Sequence, residues 1–100
     1  MRQTFGEYIR ELRVGRQMPL RKLAAILDID QSTLSKIERN ERKAVSEMIP
    51  ILATTFNLDY KEVKVKFLSD NIVSYLCNED FPLEALKVAE QKIEYLNDQK

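Results

Sequence analysis

The amino-acid sequence predicts an all-α fold, and three observations carry that prediction. Apolar residues recur at the 3.6-residue helical period, and no stretch makes a convincing strand. Breakers are sparse, with two glycines and three prolines in 100 residues, and only 8% of residues are aromatic. Helix-start signals, Thr4-x-x-Glu7 and Asp59-x-x-Glu62, stand directly ahead of apolar stripes.

Six helices follow in order. Thr4 caps the first, in which Phe5, Ile9 and Leu12 form one stripe, and it ends near Arg16. Met18 precedes Pro19, and a residue before proline avoids the helical region. Helix 2 covers 20–27, with Leu20, Leu23, Ala24 and Leu27 inward and Pro19 setting its entry. After the short break Asp28-Ile29-Asp30, Asp30 is placed to cap helix 3, 31–39, which turns Leu34 and Ile37 inward. Asn40 can take the left-handed conformation that ends a helix. Ser46 is the expected cap of helix 4, whose inward residues are Met48, Ile49, Leu52, Ala53 and Phe56. Helix 5 runs from Asp59 to about Leu76, CNEDFP interrupts, and Pro82 opens helix 6, about 82–96.

The length suits one domain with a modest core, which a dimer interface would help to hold. Residues 1–58 are the expected core domain, and 59–100 are C-terminal helices that complete the bundle. The single cysteine, Cys77, excludes an internal disulfide and is expected as a small buried hydrophobe near a helix end. No apolar run reaches the ~18 residues of a membrane span, and the N-terminus lacks a signal-peptide core. A cytoplasmic location without membrane contact is the expectation.

Catalysis has little support. There is no histidine, the commonest acid–base group near neutrality. One cysteine cannot build a thiolate zinc site. The two glycines, Gly6 and Gly15, form no phosphate-cradling loop. Ser69-Asp70-Asn71 copies a tripeptide of serine β-lactamases but lacks the S-x-x-K partner. No metal, cofactor or small-molecule ligand is expected.

Net charge is zero, yet it is unevenly distributed. Residues 1–43 hold ten Lys/Arg and six Asp/Glu, a net of +4, and residues 44–100 hold six and ten, a net of −4. All seven arginines lie in the first 43 residues. Arginine's planar fork suits phosphate and guanine edges, so the basic half is the candidate face for a polyanion.

The stretch DQSTLSKIERNERK sharpens this. Helices 2 and 3 meet through three residues, and helix 3 buries only Leu34 and Ile37. That leaves Gln31, Ser32, Thr33, Ser35, Lys36 and Arg39 outward. A plain helical hairpin with a polar surface would share this pattern. In a helix-turn-helix, the second helix enters the DNA major groove and its first residues meet base edges. Gln pairs bidentately with adenine, Lys reaches guanine acceptors, and Ser and Thr suit several edges. Arg10, Arg21, Lys22, Arg39, Arg42 and Lys43 are the expected phosphate contacts, with Arg16 a further one. Such contacts give orientation and salt-dependent affinity without reading sequence.

LRKLAAILDIDQSTLSKIERNER, with FGEYIRELR before it and VSEMIPILATTFNL after, resembles the lambda-repressor/Cro-type helix-turn-helix domain of the xenobiotic-response-element (XRE) family. The resemblance spans residues 5–58. It implies a five-helix DNA-binding bundle, here with one additional C-terminal helix, and base contacts by Gln31, Ser32, Ser35 and Lys36. It also implies a structural ion pair between Arg13 and Glu38. Asp28 and Asn40 stand where the family commonly has glycine, and Pro19 replaces a common polar cap of helix 2.

Leu86, Ala89, Ile93 and Leu96 are spaced 3, 4, 3, the pattern of a short coiled-coil seam. With Phe67, Ile72 and Leu76 of helix 5 they are the candidate dimer interface. Helix 6 folding back on its own domain is the alternative. The expectation is a non-enzymatic bacterial or phage transcriptional regulator that reads a palindromic operator in double-stranded DNA as a homodimer. Repression by excluding polymerase is its simplest mechanism. The rival is an antitoxin-like or restriction–modification-controller-like protein whose acidic C-terminal helices bind a protein partner.

Overall fold

A computed structural model describes residues 3–100. Those residues form six helices and no strand: α1 (Phe5–Gly15), α2 (Leu20–Leu27), α3 (Gln31–Glu38), α4 (Met48–Thr55), α5 (Tyr60–Leu76) and α6 (Pro82–Asp98). The chain divides into two compact units, Met1–Asp70 and Asn71–Lys100. The first unit runs past the boundary expected at residue 58 because Val63 and Phe67 are buried in its core.

Local chemistry fixes the helix ends in the first unit. At α1 the Glu7 N–H donates to Thr4 Oγ1 at 3.1 Å, and the Thr4 N–H donates to Glu7 Oε1 at 2.8 Å. This reciprocal box satisfies two otherwise orphaned donors. Four helices then end through left-handed residues that are not glycine: Gln17, Asp28, Asn40 and Asn57, with φ between 52° and 62°. Each makes the paired bonds of a Schellman turn, as in Ile29 N–H to Ala24 O at 3.0 Å and Asp28 N–H to Ala25 O at 3.1 Å. Met18, Ile29 and Leu58, the residues after three of these turns, pack against the core. Apolar packing just beyond the turn therefore accompanies a conformation that costs an L-residue energy.

α1 packs on α3, and α2 packs on both α3 and α4. Ile9, Leu23, Leu34, Ile49, Leu52 and Val63 are fully buried at the centre, each worth roughly 1.5–3 kcal/mol in removed apolar area. Gly6 sets the distance between α1 and α3. A Cβ there would overlap the Ile37 carbonyl oxygen, so the helices meet with no room for any side chain.

Several expectations are corrected. The N-cap of α4 falls one residue after the expected one: it is Glu47 and no side chain caps the helix, while Ser46 Oγ lies 3.4 Å from Glu47 Oε1. Phe67, expected at a dimer interface, is buried and meets Phe5 edge-on at 5.4 Å between ring centres. Cys77 is exposed rather than buried. α3 stops at Glu38 with Arg39 as its cap residue, and α6 extends to Asp98.

The second unit has a different character. No residue of α6 is buried. Leu83, Leu86, Val88, Ile93, Tyr95 and Leu96 are all exposed along it. α6 begins after Phe81 in the left-handed region, with Pro82 in its first turn. Ile72, Val73 and Tyr75 at the end of α5 are exposed as well.

Candidate nucleic-acid interface

The site is the outer face of α3. Asp30 fixes where that helix starts. Its Oδ1 accepts from the Thr33 N–H at 2.8 Å and from Ser32 Oγ at 3.0 Å. The Thr33 N–H, then the Thr33 and Ser32 hydroxyls, hold the Asp30 carboxyl below its ordinary pKa; slight desolvation opposes them, and Arg42 adds the smallest contribution. A carboxylate at a helix start also meets the positive end of the helix dipole.

Leu34, Ile37 and Glu38 hold the inner face. Glu38 is 5% exposed and is paired. Arg13 Nε donates to its Oε2 at 2.8 Å, and Arg13 Nη2 to its Oε1 at 3.0 Å. The third guanidinium nitrogen, Nη1, donates to the Met18 carbonyl at 2.9 Å. The hydrogen bond with Glu38 raises the Arg13 pKa; desolvation opposes the shift, and the Glu38 charge assists it. This two-bond fork joins α1 to α3 with fixed geometry.

With the inner face held, Gln31, Ser32 and Lys36 are exposed on the outer face, and Ser35 is half-buried among them. Thr33 is half-buried and lies at the edge, its N–H spent on the cap. Arg39 is exposed beyond the last turn and meets Glu41 at 3.2 Å. That pair is open to solvent and contributes little.

Arg10, Arg21, Lys22, Arg42 and Lys43 are all exposed. Arg21 and Lys22 occupy the first turn of α2, where Pro19 supplies no side-chain cap. Arg42 and Lys43 follow α3 in the loop to α4. Arg10 lines a groove of about 650 Å3 between α1 and α3, together with Ser35 and Arg39. Arg16 is otherwise engaged: its Nη2 donates to the Phe56 carbonyl at 3.1 Å, and its guanidinium stacks over the Phe56 ring at 5.6 Å. It closes the end of α1 onto α4. Arg2 lies outside the described residues.

A short second helix is therefore locked at both ends and along its inner side. Its polar face is bare, and cations flank it. Residues 6–66 match the family model of a helix-turn-helix domain. The chain belongs to that family. Its type is XRE, a class of DNA-binding transcriptional regulators.

Two solved structures resemble this helix-turn-helix protein. The restriction–modification controller protein C.AhdI from Aeromonas hydrophila is 30% identical, over 59% of this chain and 86% of that one, with a TM-score of 0.52. The clp gene regulator ClgR from Corynebacterium glutamicum is 18% identical over 92% of this chain and 84% of that one, with a TM-score of 0.54, and shares the fold. The search of curated proteins found no match. Among the described residues of this helix-turn-helix protein, no cluster of His, Cys, Asp or Glu could hold a metal ion. No helix among the described residues is long and apolar enough to cross a membrane.

Three features of the interface are not visible in residue periodicity. Gly6 sets the α1–α3 distance, Arg16 is diverted to Phe56, and Ser32 donates to Asp30. Only the last had a local signal, the two-residue spacing of Asp30 and Ser32.

Proposed function

We propose that the protein is a sequence-specific transcriptional regulator that lays α3 in the major groove of a palindromic operator as a dimer. The observation that carries this reading is α3 itself. It is pinned by Asp30 and by the Arg13–Glu38 fork, so Gln31, Ser32, Ser35 and Lys36 sit on a rigid frame. A preorganised backbone leaves only side-chain freedom to be lost on binding. Gln31 suits adenine and Lys36 suits guanine. Arg21, Lys22, Arg10, Arg42 and Lys43 would grip phosphates on either side of the groove. Arg39 would leave Glu41 for a phosphate at little cost.

One α3 reads few bases, and two half-sites give useful specificity. α6 supplies the dimerising surface in this reading. Leu86, Ile93 and Leu96 are 41%, 57% and 60% exposed in the single chain, and Ala89 completes their seam. Ile72 and Leu76 would extend the contact at the end of α5. Occupying a promoter would exclude polymerase, so repression is the simplest output.

Selection from a randomised duplex pool at about 150 mM salt tests the reading. The expected product is a palindrome with half-sites about 10 bp apart. Gln31→Ala and Lys36→Ala should then lose that site. Lys43→Ala should weaken all sequences alike and lower the salt slope by about one. Absence of any enriched sequence would overturn the reading and favour a protein partner for the acidic C-terminal helices.

A further inference from the structure

A serine hydroxyl on a recognition helix has one proton to give and two lone pairs to receive with. By itself it meets any base edge, which makes it a poor reader. In this chain the Ser32 proton has a fixed destination. Ser32 Oγ lies 3.0 Å from Asp30 Oδ1, and Asp30 is anchored by the Thr33 N–H at 2.8 Å. An ionised carboxylate is a stronger acceptor than the neutral N7, O6 or O4 of a base. Asp30 is ionised at neutral pH, as an ordinary aspartate is, and those same donors lower its pKa further. The hydroxyl proton therefore points along the helix start, and Ser32 turns only lone pairs outward.

The major groove offers few partners for a pure acceptor. Its hydrogen-bond donors are the adenine N6 and cytosine N4 amino groups; guanine and thymine present acceptors at the equivalent edge. We propose that Asp30 is a positioning residue that fixes the polarity of Ser32, so that Ser32 selects an amino-bearing base, adenine or cytosine, over a keto-bearing base, guanine or thymine, on the strand it faces. The inference rests on the DNA-reading function above and adds a rule for one position of each half-site. Lys36, a pure donor, has the opposite preference. Two neighbouring outward residues with opposed polarity would read a base step more sharply than two adaptable ones.

Parallel selections from one randomised pool, with wild type, Ser32→Ala and Asp30→Asn, test it. Both variants should fold: Ser32 is exposed, and Asn is as good a helix N-cap as Asp. Far-UV circular dichroism verifies this. Wild type should prefer adenine or cytosine at one position of each half-site by roughly fivefold, the worth of one hydrogen bond. Ser32→Ala should flatten that position and leave the others. Asp30→Asn replaces the charged acceptor with a weaker, neutral amide oxygen, so the hydroxyl proton is held less firmly and guanine or thymine should be admitted there more often while the rest of the site is kept. A keto preference at the position that Ser32→Ala flattens, or an amino preference unmoved by Asp30→Asn, overturns the inference and leaves the DNA-reading function intact. Recovery of no site by wild type overturns both.

Discussion

α3 and α6 are both amphipathic, yet eight-residue α3 buries three side chains and seventeen-residue α6 buries none. Length does not explain the contrast, since a longer helix is intrinsically easier to form. Attachment does. α3 has a carboxylate cap, a left-handed exit at Asn40, and a buried fork to Arg13 on its inner face. α6 has a proline start and an apolar side open to solvent. A helix that must present side chains to within a fraction of an ångström is fixed by its own chain. A helix whose apolar face is exposed has its burial still to make.

The contrast breaks most severely at Glu38. Glu38→Gln leaves the Arg13 charge partly buried opposite a neutral amide, which should cost about 3 kcal/mol. Urea unfolding would show it as a lower midpoint. No pH at which the protein can be handled would relieve it, because Arg13 keeps its charge. An unchanged midpoint would mean that α3 is held by Leu34 and Ile37 alone.

Gly6→Ala should be next, at about 2 kcal/mol of overpacking. The added methyl meets backbone, the Ile37 carbonyl, which cannot rotate away as a side chain could. α3 must shift, so specific DNA binding should fall further than binding to random DNA. Equal losses for both would argue that the α1–α3 distance is unimportant for base reading.

Asp28→Gly should act in the other direction, raising stability by about 0.5–1 kcal/mol. Asp28 sits at φ 58° and ψ 44°, where glycine alone is free of strain. A higher thermal midpoint checks it. A lower one would show that the Asp28 carboxylate stabilises the turn by more than its conformation costs.

How much of this was legible follows from the range of each interaction. The helices and their inward residues were readable because periodicity is local, and so was Asp30, three residues before the N–H it caps. The Arg13–Glu38 fork came only from the family resemblance, as periodicity does not join residues 25 apart. Gly6 was opaque, because its meaning is an inter-helix distance. Phe67 was misplaced for a specific reason. α5 carries apolar residues on more than one side, Val63 and Phe67 buried and Val65, Leu68 and Ile72 exposed, and spacing cannot say which side meets the core. Ser46 failed as a cap because α4 begins one residue later and without a side-chain cap.

A smaller effect belongs to Asp30. Its folded pKa lies below the unfolded value of about 3.9, so its contribution is fully present above that value. It is lost as pH falls through the folded value. Asp30→Asn keeps the cap but not the titration. Acid unfolding of the variant should therefore begin slightly less steeply below pH ~4. Superimposable acid limbs would mean that the cap does not depend on charge.

The last test removes the contrast altogether. Ile93→Asp puts a charge in the middle of the exposed α6 seam, where the single chain buries nothing. The unfolding midpoint of the first unit, measured under dilute conditions, should move by less than about 0.5 kcal/mol. Mass by analytical ultracentrifugation should fall from dimer to monomer, and affinity for a two-half-site duplex should fall with it. Affinity for a single half-site should stay, because Asp30, Arg13 and Gly6 fix α3 within the first unit. A mass already monomeric in wild type would remove the dimer from the reading. A half-site affinity that fell with the mass would mean that α6 steadies α3, and the two helices would no longer be separable in function.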